Sequence, residues 1–160
     1  MKLREIKVKN FRNLVDVAFP VGDMTVLLGE NNTGKSAVLD ALRAVLSRTT
    51  AIRGQVFEEY DYHMAKTGDS PQKSEGILIE LLFREDATDE WPESVIQALN
   101  EIVQTDPETD IDSIGVRLTS KFDALANQFA PKLEFLTLDG QPLGGKGAAP
   151  QNYSRFLEYV

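Results

Sequence analysis

The chain contains no cysteine. Disulfides, thiolate metal sites and a cysteine nucleophile are excluded, and the composition suits a reducing compartment, so a cytoplasmic location is expected. Histidine is nearly absent too. The single His63 leaves no imidazole cluster for zinc and little room for a Ser-His-Asp triad. No apolar run approaches the ~20 residues of a membrane span, and the opening Met1-Lys2-Leu3-Arg4-Glu5 lacks the apolar core of a secretory leader. Basic residues are scarce outside the first third. The net charge is −8, divided into +4 over residues 1–53 and −12 over residues 54–160. A basic first third favours an anionic ligand, whereas the acidic remainder is a poor grip for a nucleic-acid backbone. Solvated acidic loops account for the same distribution. What is present is ordinary: 160 residues, 42% hydrophobic and 26% charged, enough for one domain with a sizeable core, or one domain and a small appendage.

Hydrophobic spacing gives an alternation of strands and helices. Residues 3–8 and 13–19 read as strands. Met24-Thr25-Val26-Leu27-Leu28 is a continuous apolar run, which predicts a strand buried on both faces. Val38, Leu39, Leu42, Val45 and Leu46 recur at helical spacing, predicting a helix from Lys35 to Ser47. Residues 49–75 form a polar excursion without clear period. Strands are predicted over 76–83, 113–119 and 132–138, the last ending at the turn pair Asp139-Gly140. Between the first two of these lies a helix opening at Pro92, with Val95, Ile96, Leu99, Ile102 and Val103 on one face, and then an acidic loop over 104–112. Residues 140–150 read as a Gly-rich loop, and an apolar element begins at Phe156.

Gly29-Glu30-Asn31-Asn32-Thr33-Gly34-Lys35-Ser36 fits the pattern G-x-x-x-x-G-K-[ST]. A chance match in this length arises roughly once in 200 sequences. Each fixed position has a physical reason. The glycines let the loop wrap through torsions that other residues resist. The wrapped N–H groups and the start of the following helix make an anion nest. Lys35 would reach the β- and γ-phosphates of a nucleotide, and the Ser36 hydroxyl would ligate Mg²⁺.

The flanks narrow the class. Phe11-Arg12-Asn13-Leu14 between the first two strands, together with residues 29–42, resembles the start of an ABC-type ATPase of the SMC/RecF/OLD group. The Glu30-Asn31-Asn32-Thr33 wording is most similar to the OLD (overcoming lysogenization defect) family, in which an N-terminal ATPase is joined to a C-terminal Toprim nuclease. Asp61-Tyr62-His63 resembles an Asp-aromatic-His stretch of the same family. The resemblance is specific over residues 1–46 and thin beyond.

It implies an α/β P-loop fold of ABC-ATPase type with an antiparallel β-sheet. It also implies ATP and Mg²⁺ held by Gly29, Glu30, Asn31, Asn32, Thr33, Gly34, Lys35, Ser36 and Ala37, with Arg12 and Asn13 near the nucleotide. Read without it, Arg12 is a solvated turn residue, Asn13 a turn former and His63 an ordinary surface or satisfied histidine. Phe11 reads as core.

Hydrolysis needs more than a phosphate loop. A strand ending in Asp-Glu normally supports Mg²⁺ and polarises water. Two stretches imitate it: Leu81-Leu82-Phe83-Arg84-Glu85-Asp86, interrupted by Arg84, and Phe135-Leu136-Thr137-Leu138-Asp139, followed by Gly140 at a turn. Leu143-Gly144-Gly145-Lys146-Gly147 echoes the ABC signature without its serine and reads as a flexible loop. No catalytic residue is therefore assigned within the chain. The expected organisation is a phosphate-loop core over 1–48, the excursion 49–75, a β-rich lobe over 76–139, and a loop with the start of the next element over 140–160. Strands 3–8, 13–19 and 24–28 are expected in one sheet and the later strands in a second. The remaining ATPase half and the nuclease would lie outside the chain.

The expected function is the ATP-binding segment of an OLD-type DNA endonuclease in phage defence or DNA processing. Its intact form would be a homo-oligomer reaching DNA through the absent part, with no membrane partner. The other reading is a nucleotide-binding fragment of a RecF/SMC-like ATPase without nuclease activity. A small P-loop kinase is disfavoured, because such kinases begin directly at the P-loop strand and an Arg-rich lid is not visible.

Overall fold

The computed structural model describes residues 1–31, 33–47, 57–64 and 70–160. The chain builds β1 (Leu3–Phe11), β2 (Leu14–Pro20), α1 (Lys35–Leu46), β3 (Ile77–Arg84), α2 (Glu93–Ala98), β4 (Gln104–Thr105), β5 (Asp112–Asp123), β6 (Gln128–Leu136) and α3 (Gln151–Phe156). Short 3-10 turns occupy Glu59–Asp61, Pro71–Lys73 and Gly145–Ala148.

The strands form one antiparallel sheet in the order β2-β1-β3-β5, with β4 and β6 sharing the far edge of β5. Period-two alternation sorts its faces. Ile6 lies opposite Leu81, and Leu81 opposite Val116. Val8 lies opposite Ile79, and Ile79 opposite Leu118. All six are buried. On the outer face the register brings Lys7, Glu80, Arg117 and Glu134 side by side, an alternating charge ladder in which Glu80 pairs with Lys7 at 3.5 Å and with Arg117.

Helix α1 covers the inner face with Ala37, Val38, Ala41 and Val45, one helical stripe. Its C-terminal end is tied to α3, where the buried Tyr153 hydroxyl donates to the Val45 and Ser47 carbonyls and satisfies groups that a helix end leaves open. Phe156 of α3 meets Phe83 and Phe135 edge-on, at 5.2 and 5.6 Å between centroids.

Several expectations are corrected. Residues 24–28 belong to no strand, and Met24, Val26 and Leu28 are 87%, 67% and 88% exposed. An apolar run of this kind needs neighbours on both sides, and none of the described strands supplies one. The two predicted sheets are one, because β1 pairs with β3 as well as β2. The helix after Pro92 is six residues long, and its chain turns at Leu99 to bury Leu99 and Ile102. The acidic loop includes the short strand β4. Strands β5 and β6 form a longer hairpin than predicted, turning at 124–127. The 140–150 segment is ordered: the Asn152 side-chain amide donates to the Lys146 and Gly147 carbonyls. Of the excursion, residues 48–56 and 65–69 lie outside the described residues.

Candidate functional site

The phosphate loop runs from Gly29 into the first turn of α1. Asn32 lies outside the described residues. Gly34 stands at the helix N-cap with φ 103°, a torsion reserved for glycine, and a Cβ there would lie 2.7 Å from Leu14 Cδ2 and 3.2 Å from Asn13 Oδ1. This glycine lets the β1–β2 turn press against the helix start. The cap has no side-chain hydrogen bond, and the first turn has no acidic residue. The N–H groups of Lys35, Ser36 and Ala37 have no intrahelical acceptor, and no acidic side chain of the first turn offsets the positive helix end. Lys35 Nζ folds back onto the carbonyl oxygens of Gly29 at 2.7 Å and Glu30 at 2.5 Å, while Thr33 Oγ1 donates to Glu30 O at 2.9 Å. Ser36 is exposed. An ammonium group parked on neutral carbonyls, an exposed hydroxyl and a bare helix start fit a phosphate with its Mg²⁺, so the residues present suit the expected ligands.

The β1–β2 turn is held by a clasp. Segment 58–63 returns to it through the bonds Arg12 N to Asp61 O at 2.7 Å and His63 N to Asn10 O at 3.0 Å, and Phe11 bridges to Tyr62. The Arg12 guanidinium donates through Nε to Asp61 at 2.8 Å and through an outer nitrogen to Asp40 of α1. It lies 5.0 Å from the Phe11 ring centroid and 5.6 Å from that of Tyr60. Burial works against the Arg12 charge, but the bonds to Asp61 and Asp40 outweigh it and raise its pKa. Asp61 is buried and also accepts the Glu58 N–H at 2.9 Å. Arg12 is therefore neither a solvated turn residue nor a free cation at the loop, and Phe11 is core. Asn13 does stand beside Gly34. Behind the clasp, Tyr62 stacks on Phe129 at 4.1 Å and bonds Ser120 at 2.6 Å; burial raises its pKa and that bond partly offsets the rise.

Sequence reasoning missed Asp40 and Tyr60. Asp40 shares the helix with Lys35, but its partner Arg12 is 28 residues away, so no local signal marks it.

Neither imitation of the second ATPase motif reaches this site. Glu85 is buried, and its two oxygens accept the Trp91 and Asp112 N–H groups. It follows β3 at the Lys2 end of β1, whereas the loop abuts the Phe11 end, a strand's length of about 27 Å away. Asp139 lies in the exposed turn after β6. A cavity of about 600 Å³ on the outer sheet face is lined by Glu5, Leu82, Arg84, Gly115 and Leu138 among others, and by no residue of the phosphate loop. Among the described residues no group of three or more His, Asp or Glu could hold a metal ion, and no helix is long and apolar enough to cross a membrane.

Similarity to a known family extends over nearly the whole chain. The chain belongs to the DUF2813 family. The match covers residues 1–151, and the family is described as a protein of unknown function. The DUF2813 chain is 43% identical over 44 residues to the OLD nuclease of Thermus scotoductus, covering 28% of this chain and 8% of that protein. It is 38% identical over 78 residues to endonuclease GajA of Bacillus cereus, covering 49% and 13%. It is 42% identical over 88 residues to the chromosome partition protein Smc of Coxiella burnetii, covering 52% and 7%. The chain thus spans between 7% and 13% of the length of these relatives. A solved structure from work on the ATP-driven dimerization and DNA-stimulated activation of SMC ATPases superposes with a TM-score of 0.55 at 16% identity, covering 99% of this chain and 78% of that one. The fold, α/β with an antiparallel sheet, is shared with that SMC ATPase structure, and the resemblance to OLD-type nucleases is borne out.

Proposed function

We propose that this DUF2813 chain is the nucleotide-binding N-terminal lobe of an OLD-type ATP-dependent DNA endonuclease, acting in phage defence or DNA processing. The observation that carries the reading is the helix start at Gly34, bare of caps and acidic residues, with Lys35 and Ser36 beside it. ATP phosphates would lie against residues 29–37, with Lys35 as the principal cation and Ser36 as a Mg²⁺ ligand. Arg12, through Asp40 and Asp61, and Asn13, beside Gly34, shape the wall of the site.

Residues 1–48, 49–75, 76–139 and 140–160 are the successive parts of this lobe. The exposed Met24, Val26 and Leu28, and Leu39 on α1 at 52% exposure, support docking of the remaining ATPase half on this side. The intact protein would dimerise through its ATPase heads, contact DNA through its other domains and work in the cytoplasm. The Smc match over 52% of the chain supports a second reading, a RecF/SMC-like ATPase without a nuclease.

Phosphoryl transfer depends on positioned charge, and neither Glu85 nor Asp139 is at the loop, so this chain binds ATP but turns it over far below ~1 s⁻¹. Calorimetric titration with Mg·ATP tests the site: Lys35→Ala weakens binding by at least about tenfold, as expected for a lost charge-assisted phosphate contact. Unchanged affinity refutes the assignment. Robust hydrolysis abolished by Lys35→Ala would place a catalytic carboxylate within residues 1–160.

A further inference from the structure

The cavity on the outer sheet face shares no residue with the phosphate loop. Its volume of about 600 Å³ falls within the ~300–1,000 Å³ of small-molecule sites. The strand register sets Glu5, Leu82, Gly115 and Leu136 in one row across β1, β3, β5 and β6. Gly115 brings no side chain to that row, and Leu136 closes over it: a Cβ on Gly115 would meet Leu136 Cβ at 3.1 Å. The floor is therefore low and apolar. Leu82 and the buried Leu136 build it, and Leu138, 50% exposed, borders it.

Seven charged side chains line this cavity, and five are compensated within the fold. Glu80 is paired with Lys7 and with Arg117. Asp86 is paired with Lys2 and Arg4. The Glu85 oxygens accept the Trp91 and Asp112 N–H groups, and Asp106 accepts those of Glu108 and Thr109. Glu5 and Arg84 are left. Both are exposed, and neither side chain has a hydrogen-bond or ion-pair partner among the described residues, the other of the two included. They stand on adjacent strands, beside the register shift of β1 between Leu3 and Glu5. Arg84 is two residues past Leu82, the partner of Glu5. At ~4.8 Å between strands and ~3.4 Å per residue, the two Cα atoms are on the order of 8 Å apart.

These two groups and the floor define a ligand. A carboxylate without a partner takes an ammonium, and a guanidinium takes a carboxylate through two parallel bonds. A molecule that satisfies both above leucine side chains carries an ammonium, a carboxylate and an apolar body. Two extended residues span ~7 Å, close to the separation of the two strand positions.

We propose that the outer-face cavity binds an apolar α-amino acid zwitterion, free or as the two ends of a dipeptide. Its ammonium lies on Glu5, its carboxylate on Arg84 and its side chain over Leu82, Leu136 and Leu138.

The test is a calorimetric titration of the whole chain with leucine and with leucyl-leucine. Glycyl-glycine, 4-methylpentanoate and isopentylamine serve as probes that lack the apolar side chain, the ammonium and the carboxylate. The wild type binds leucine or leucyl-leucine saturably, and whichever binds tighter tells a free amino acid from a peptide as the source. Each incomplete probe binds about tenfold weaker, the loss expected for one charge-assisted contact or one buried side chain. Glu5→Gln and Arg84→Gln each weaken the complete ligand by about tenfold. Glu5→Gln leaves 4-methylpentanoate binding unchanged, and Arg84→Gln leaves that of isopentylamine unchanged, because each of these probes lacks the group that the altered residue would hold. Leu138→Ser weakens leucine and leucyl-leucine but not glycyl-glycine. All three replaced residues are exposed, so urea unfolding midpoints stay at the wild-type value, and Mg·ATP affinity is unchanged in each variant. No saturable binding of either complete ligand at about 10 mM overturns the proposal. Binding that survives both Glu5→Gln and Arg84→Gln undiminished overturns it too, and leaves the two residues as solvated surface groups.

Discussion

Adding a single methyl group at Gly34 tests how tightly the loop is built into the core. In Gly34→Ala the new Cβ meets Leu14 Cδ2 at 2.7 Å and Asn13 at 3.2 Å, at a backbone φ of 103°. Leu14 is 4% exposed and packed in the core, so it cannot simply swing away. Holding a non-glycine residue in such a torsion costs about 1–3 kcal/mol, and forcing a methyl into a filled space costs about 1–3 kcal/mol more. The expected loss is about 2–6 kcal/mol, a large part of the 5–15 kcal/mol typical of a domain. The assay is urea unfolding followed by fluorescence of Trp91, the single tryptophan, which is buried at 6% exposure. Gly144→Ala is the matched control. Its φ is −94° and no atom lies within 4 Å of the added Cβ, so stability should stay within about 0.5 kcal/mol or rise slightly. If the two variants unfold within 1 kcal/mol of each other by this measure, roughly the resolution of the comparison, the loop is not braced by Leu14 and the reasoning fails.

Other outcomes follow from the same structure. Ser36→Ala should reduce Mg²⁺-dependent ATP binding more than binding in EDTA, read by calorimetry; an equal fall in both means that the hydroxyl has another role. Tyr153 is buried, which pushes its pKa from 10.0 up to about 12. The unfolded chain therefore ionises first. The contribution of this group is complete below pH 10 and lost as pH rises through 12. Tyr153→Phe should lose about 1 kcal/mol at neutral pH with its bonds to the end of α1, and should show a shallower alkaline decline in unfolding titrations. Duplex DNA should not bind below micromolar concentration at physiological salt, given −12 over residues 54–160; tight binding by fluorescence anisotropy would contradict this.

How much was legible in the sequence depended on the range of the interactions. Helix α1 is set by contiguous residues, so pattern alone located Lys35 to Leu46 to within a residue. Strands β1, β3 and β5 show their burial as simple alternation, and this too is local. The β5–β6 turn was missed because Ala124 to Asn127 lacks the glycine of a strong hairpin signal.

By itself, then, the sequence determined the Gly-rich loop pattern, the alternating strand faces and the helix behind the loop, because each depends on torsions and spacing within a few residues. Only the tertiary structure decided the rest. It merged the strands into one sheet, since register is a choice among distant partners such as Ile6 and Leu81. It left residues 24–28 exposed, because an apolar run states what a segment must pack against and not whether the partner is present. It gave Arg12 its carboxylate partners, because Asp40 and Asp61 are carried to it by the fold from 28 and 49 residues away.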